Sequence, residues 1–318
     1  MSEIRSSKIW HNGHLIDWDD ATVHVMSHVL HYGTSWFEGI RCYQTERGSE
    51  IFRLQEHVQR LSNSAKIYRT RIPFSRQELI TAIKDTIQAN ELEACYIRPI
   101  VFRGLGTIGV NPLSADVEVY IMVWEWETYL GAEALENGVD VMTSSWSRAA
   151  PNTFPSMAKA GGHYLNSVLI KMEAAQQGFS EGLALDVHGY VSEGSGENLF
   201  LLYEGKVMTS PAASAILPGL TRNSVMQLLQ ERGHEVIEQQ LPREMLYLAD
   251  EVFMTGTAVE VTPVRSIDKI DVGEGRRGPV TAQLQEDFFA YVKGEVDDRH
   301  GWMTPVRSHR SVETSVGS

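Results

Sequence analysis

Cysteine is nearly absent from this sequence. It occurs only at Cys42 and Cys95, which rules out a disulfide framework or a cysteine metal cluster, so both read as small core residues in a reducing compartment. Long hydrophobic runs are missing too. No stretch approaches the roughly 18 apolar residues of a membrane helix, and the opening "MSEIRSSKIWHNGHLIDWDD" lacks the apolar segment of a secretory leader. A cytoplasmic protein is expected. Positive charge is in the minority, with 28 basic against 41 acidic residues and a net −13, and no Lys/Arg-rich tract stands out. Neither nucleic acid nor a membrane surface is therefore an expected partner. Repeats of fixed period are absent as well, which excludes solenoids and propellers.

What remains is an ordinary globular composition, 42% hydrophobic and 22% charged, over 318 residues. That length exceeds the usual size of one core and predicts two domains. In "RLQEHVQRLSNSAKIY" the apolar positions Leu54, Val58, Leu61, Ala65 and Tyr68 recur at helical spacing, and "SRQELITAIKDTIQANEL" opens with Ser75 and Glu78 in capping-box spacing. "ACYIRPIVF", "VEVYIMVWEW" and "GVDVMTSSW" read as strands, as does "DEVFMTGTAVEVTPV". Strands and helices alternate irregularly, so the expected class is α+β: a small N-terminal α/β domain over 1–128, a connection over 129–137, a larger domain over 138–302, and a disordered tail over 303–318 with little to bury.

One lysine needs explaining. Lys159 stands among Met157, Ala158, Ala160, Gly161 and Gly162, just before a helix, and the nearest acid along the chain is Glu173. It reads either as a solvated loop lysine or as an amine desolvated for attack on a carbonyl. Glu193 in "SEGSGENLF" is either a turn acid or an acid awaiting a cationic partner. "ILPGLTRNSV" leads through Pro218 and Gly219 into a helix whose first turn holds Leu220 and Thr221, which is an anion site or an ordinary Thr cap. "MTGTAVEV" ends a strand at Gly256 and Thr257, small enough for an anion to approach. Arg60 lies off the apolar stripe of its helix and reads either as part of an anion site or as a solvated arginine. Together these residues supply an amine nucleophile, a carboxylate and a phosphate cradle, the groups that pyridoxal phosphate requires.

The segments "HVMSHVLHYGTSWFEGIRCY", "YIRPIVF", "GVNP", "SSWSRAAPNTFPSMAKAGGHYLNS", "GYVSEGSGENLF", "LPGLTR" and "LADEVFMTGTAVEVTPV" resemble the branched-chain amino acid aminotransferases, of fold type IV, from about Trp10 to Trp302. The resemblance implies a two-domain fold with a barrel-like core in the larger domain, pyridoxal 5′-phosphate as cofactor, and transamination between leucine, isoleucine or valine and 2-oxoglutarate. It makes Lys159 the Schiff-base lysine and proton carrier, Glu193 the partner of the pyridine nitrogen, and Tyr164 the partner of the ring hydroxyl. Arg60, the amides of Leu220 and Thr221 and the Thr257 hydroxyl become phosphate ligands, and Leu217 lies against the ring.

For the substrate, the resemblance assigns the α-carboxylate to Gly39, Thr257 and Ala258 and aliphatic walls to Phe37, Trp126 and Tyr129. It places Tyr96 in the same pocket and gives the distal carboxylate of glutamate to Arg98, near Tyr32 and Tyr129. Tyr32 and Val110 would come from a neighbouring subunit, which implies a homodimer as the smallest complete unit. Trp36, Arg103 and Val259 are bulkier than the family pattern, and "FRGLGTIGVNP" differs from it, which bears on side-chain preference. D-amino acid transaminase and aminodeoxychorismate lyase share the fold but not the pairing of "YIR" with "GTA". A binding protein that had lost the chemistry would not need Lys159, Glu193 and Arg60 together.

Overall fold

The computed structural model describes residues 6–126 and 132–307. The fold is mixed α+β and is built on two sheets. The first begins with β1 (Lys8–His11), β2 (His14–Asp17), β3 (Ser35–Phe37), β4 (Ile40–Thr45), β5 (Gly48–Phe52), β6 (Cys95–Arg103) and β7 (Val117–Trp124), in the order β5-β4-β6-β7-β1-β2, with β3 also on β6 and every pairing antiparallel. Helix α1 (His28–Tyr32) precedes β3, and α2 (Leu54–Ile67) and α3 (Arg76–Ala89) cover one face. Both long helices form where periodicity places them. Leu54, Val58, Leu61 and Ala65 of α2 are buried against Leu79, Ile83 and Ile87 of α3, and Ser75 with Glu78 completes the capping box. Cys42 and Cys95 are opposite each other on β4 and β6, buried and unoxidised.

After α4 (Ala132–Asn137) the chain enters a mixed sheet formed by β8 (Val139–Thr143), β9 (Glu181–Leu185), β10 (Val191–Gly194), β11 (Asn198–Tyr203), β12 (Lys206–Thr209), β13 (Val236–Glu238), β14 (Glu251–Gly256), β15 (Glu260–Ile267) and β16 (Ile270–Asp271). Its order is β10-β9-β8-β15-β14-β11-β12-β13, with β16 beside β15. Helices α5 (Tyr164–Gln176), α6 (Leu220–Glu231), α7 (Met245–Leu248) and α8 (Pro279–Val292) accompany it. No helix among the described residues is long and apolar enough to cross a membrane.

Two expectations need correction. The stretch 251–267 is two antiparallel strands, β14 and β15, because the chain reverses at 257–259 and Glu260 takes a positive φ of 55°. The tail is ordered at its start. Met303–Pro305 form β17, which pairs with β5 at the edge of the first sheet, and Met303 and Val306 are buried. Trp302, packed edge-on against Phe52 and near Tyr291, turns the chain back to that edge and gives the tail apolar surface to cover. The expected connection over 129–137 holds α4, and Tyr129 lies outside the described residues.

Candidate active site

The two sheets meet where β3 runs past the Lys159 segment. The Phe37 amide donates to the Lys159 carbonyl at 3.1 Å, Trp36 bridges to Ala160, and the Lys159 amide donates to Ser64 Oγ on α2 at 3.0 Å. The lysine backbone is thus clamped by the first sheet and its helix. Small residues beside it permit this approach: a Cβ on Gly161 would lie 2.2 Å from Ser35 Oγ. The side chain, half-buried, reaches Tyr164 Oη at 2.7 Å.

Lys159 and Tyr164 open onto a cavity of about 400 Å³ that Arg60, Glu193, Leu217, Leu220, Thr221 and Thr257 also line. All eight residues assigned to the cofactor therefore share one space. Glu193 sits on β10, buried, which sets aside the turn reading. Its Oε2 accepts from the Leu217 amide at 3.0 Å and from Asn198 Nδ2 at 3.2 Å, and its Oε1 lies 3.3 Å from Arg148 Nη2. Burial pushes its carboxyl up, and Arg148 is the foremost group opposing that rise.

On the Arg60 side α6 begins with Gly219 as its cap residue, and no side chain caps it. The first-turn amides of Leu220 and Thr221 therefore receive no side-chain cap, which sets aside the Thr-cap reading and is the arrangement an anion can use. Glycine leaves room there for the Asn198 side chain, since a Cβ on Gly219 would lie 2.1 Å from Asn198 Oδ1. Thr255 Oγ1, buried in the same wall, has no hydrogen-bond partner among the described residues. The donor set, the lysine and the orphaned hydroxyl fit a flat phosphorylated aldehyde.

Arg60 is no solvated arginine. Its Nε and Nη2 donate to the two oxygens of Glu38 at 2.7 and 2.8 Å, and its Nη1 donates to the Pro218 carbonyl at 3.0 Å. His57 Nδ1 lies 2.7 Å from Glu38 Oε2. Burial alone would raise the Glu38 carboxyl, but Arg60 and then His57 overcome it and hold it well below the usual carboxylate range. Since Glu38 is ionised, His57 Nδ1 carries the proton of that bond. Burial lowers His57, with Glu38 opposing. The motif reading missed Glu38, His57, Asn198 and Arg148. Only Glu38 carried a local signal, an acid held between Phe37 and Gly39 beside an apolar strand.

The substrate candidates form a neighbouring aromatic cluster. The Phe37 ring lies 4.9 Å from that of Tyr164, 5.2 Å from Lys159 Nζ and 4.8 Å from the Arg98 guanidinium. Arg98 Nη2 is 3.4 Å from Tyr96 Oη, the Trp126 ring lies tilted against that of Tyr96 at 4.7 Å, and Arg98 Nε has no partner among the described residues. Gly39 must be glycine, for its Cβ would fall 1.9 Å from the Tyr96 hydroxyl. Ala258 follows Thr257 in the β14–β15 turn. Of the described substrate candidates only Thr257 lines the cavity itself; Phe37, Gly39, Tyr96, Arg98, Trp126 and Ala258 are not part of its lining, and neither are Tyr32 and Val110. The last two are 43% and 78% exposed, and Tyr32 Oη donates to the Ile108 carbonyl. The bulky departures also lie outside the cavity lining. Trp36 packs on Tyr68, Arg103 donates to Thr70 Oγ1 and the Ala115 carbonyl, and Val259 is buried.

Residues 35–267 match the family model for class IV amino-transferases. The chain is 55% identical over 309 residues to the branched-chain-amino-acid aminotransferase of Salmonella typhimurium strain LT2, covering 97% of this chain and all of that one. Among solved structures, the Escherichia coli branched-chain amino acid aminotransferase superposes with a TM-score of 0.94 at 55% identity, over 95% of this chain and 100% of that chain. The branched-chain amino acid aminotransferase of Thermobaculum terrenum, solved in its PLP-bound holo-form, superposes with a TM-score of 0.89 at 33% identity, over 96% of this chain and 100% of that chain.

Proposed function

The chain belongs to the class IV aminotransferases, and from that premise we infer that it catalyses reversible transamination between L-leucine, L-isoleucine or L-valine and 2-oxoglutarate, with pyridoxal 5′-phosphate as cofactor. The observation that carries this reading is the single cavity that puts Lys159 beside Tyr164, a buried carboxylate at Glu193, and an uncapped helix start near Arg60. When bound, the cofactor supplies an electron sink that stabilises negative charge at the substrate α-carbon.

The chain's own residues do the rest. Lys159 Nζ would hold the cofactor and, once the substrate amine has displaced it, would be free to take the proton from the substrate α-carbon and return it, as general base and acid. Tyr164 Oη, 2.7 Å from that nitrogen, orients it. The ionised Glu193 carboxylate would accept a hydrogen bond from the protonated ring nitrogen. The Leu220 and Thr221 amides, the Thr257 hydroxyl and Arg60 Nη1 anchor the phosphate, and Leu217 covers the ring. Thr257 and Ala258, together with Gly39, take the α-carboxylate. Phe37, Tyr96 and Trp126 supply apolar walls, a role the family resemblance extends to Tyr129, and Arg98 takes the distal carboxylate of glutamate.

The working unit is proposed as a homodimer, assembling further to a hexamer in one arrangement, with Tyr32 and Val110 reaching the neighbouring site. Exposed Trp146, Phe154, Leu165 and Leu169 border the cavity and support that reading, being apolar surface that a partner would cover. Two domains, divided near 129–137, and a cytoplasmic location complete the proposal. Borohydride reduction of the holoenzyme followed by peptide mapping is expected to label Lys159, and an amino-donor panel with 2-oxoglutarate to favour branched-chain L-amino acids. A label on Lys66 or Lys171 removes the lysine assignment. Preference for D-alanine moves the reading to a D-amino acid transaminase.

A further inference from the structure

Arg148 belongs to neither the cofactor set nor the substrate set, yet it lines the cavity and is itself buried. Its guanidinium ties two elements together. Nη1 donates to Asn166 Oδ1 and Ser167 Oγ, both at 3.0 Å, on the helix that Tyr164 begins. Nη2 donates to the carbonyls of Gly194 and Ser195 at the end of the strand that carries Glu193, and lies 3.3 Å from Glu193 Oε1. We propose that Arg148 is a positioning residue that keeps the Glu193 carboxylate ionised and aimed, so that the ring nitrogen of the bound cofactor stays protonated. The proposal rests on the reading that Glu193 faces that nitrogen.

Charge in a dry place is what Arg148 supplies. A carboxyl without solvent tends to keep its proton, and a neutral carboxyl gives a pyridinium no counter-ion. The two hydrogen bonds to Glu193 Oε2 come from neutral donors, Asn198 and the Leu217 amide, whereas the contact at Oε1 is a full positive charge. The other cations that act on Glu193 are engaged elsewhere: Arg222 with Glu238 and the Ser210 carbonyl, and Lys159 with Tyr164 and the cofactor's chemistry. Arg148 also faces His163 and Glu197. Glu197 competes little for it near neutral pH, because burial and then the charge of Glu181 push its carboxyl up to about 8.

The test uses holoenzyme reconstituted with ring-15N pyridoxal phosphate. The parent is expected to show the protonated nitrogen resonance across neutral pH. Arg148→Gln is expected to move it toward the unprotonated position and to lower the nitrogen's protonation constant about tenfold, one unit of pKa. It should also reduce kcat more than KM for the amino acid. Arg148→Lys, which retains charge, should restore most of the resonance shift. A folded Arg148→Gln enzyme with an unmoved resonance, where Glu193→Gln does move it, makes Arg148 purely structural and overturns the proposal while the transaminase reading stands. If neither variant moves the resonance, Glu193 does not face the nitrogen, and the placement of the carboxylate falls with the proposal. Should Arg148→Gln fail to fold, the pair Asn166→Ala and Ser167→Ala, which frees Nη1 from its helix, must shift the resonance in the same direction; no shift overturns the proposal.

Discussion

Replacing Glu38 by glutamine separates the two tasks that the structure gives it. Glu38 is fully buried and accepts three short hydrogen bonds, two from Arg60 and one from His57, at 2.7 to 2.8 Å. Glutamine keeps the shape but not the charge. Its amide nitrogen must face at least one donor, and Arg60 is left buried without a counter-ion. Removing one partner of such a pair costs about 3–5 kcal/mol, a sizeable share of the ~5–15 kcal/mol that holds a folded protein together. Arg60 Nη1 would also lose its aim at the Pro218–Leu220 cradle, and one charged hydrogen bond of about 1.5–3 kcal/mol corresponds to weakening of phosphate binding by about tenfold to somewhat over a hundredfold.

Urea unfolding of the cofactor-free protein reads the first effect. Parallel titrations with pyridoxal phosphate and with unphosphorylated pyridoxal read the second. The expected result is a lower midpoint together with a selective loss for the phosphorylated ligand. The pH dependence has a definite sign. The folded Glu38 carboxyl lies below its unfolded value, so its contribution is present above about pH 4.3 and is lost as the pH falls toward the folded value. His57 is lowered on folding, so acid below about pH 6.5 destabilises the native state through it as well. An unchanged midpoint, or equal weakening of both ligands, would refute the reasoning.

Arg98→Met is expected to weaken the glutamate and 2-oxoglutarate half-reactions by about 1.5–3 kcal/mol relative to those of leucine, since an aliphatic side chain offers its guanidinium nothing; equal losses, followed by cofactor absorbance, would assign Arg98 another role. Gly219→Ala fits the local φ of −69° but drives its methyl into Asn198 Oδ1, so cofactor affinity should drop with an overpacking strain of about 1–3 kcal/mol; unaltered affinity in a fluorescence titration would show that Asn198 yields freely. The Glu197 carboxyl is raised from 4.5 to about 8 on folding, so the native state holds a proton there that the unfolded chain has released, and stability falls as pH rises through that window. In Glu197→Gln the urea-derived free energy should vary less between these limits than in the parent, and parallel profiles would count against it.

Some features were settled locally. The capping box at Ser75, the apolar stripe of α2, the reach from Lys159 to Tyr164 within five residues, and the helix start at Leu220 depend on neighbours a few positions away, and backbone sterics with side-chain periodicity decide such things before any long-range contact exists. Partnership across the chain is another matter. Arg60 reads as a surface arginine until β3 brings Glu38 beneath it, and Arg148 carries no motif until the sheet sets Glu193 beside it, 45 positions later. Trp36 reads as a bulky departure that bears on side-chain preference, but the alternation of β3 turns it into the core and leaves Phe37 beside Lys159. The strand Met303–Pro305 forms only because β5 offers an open edge and Trp302 a packed corner. In each of these cases the side chain's environment is set by burial and by which partner arrives. Those depend on how the two sheets come together, because desolvation and charge pairing act through space and not along the chain.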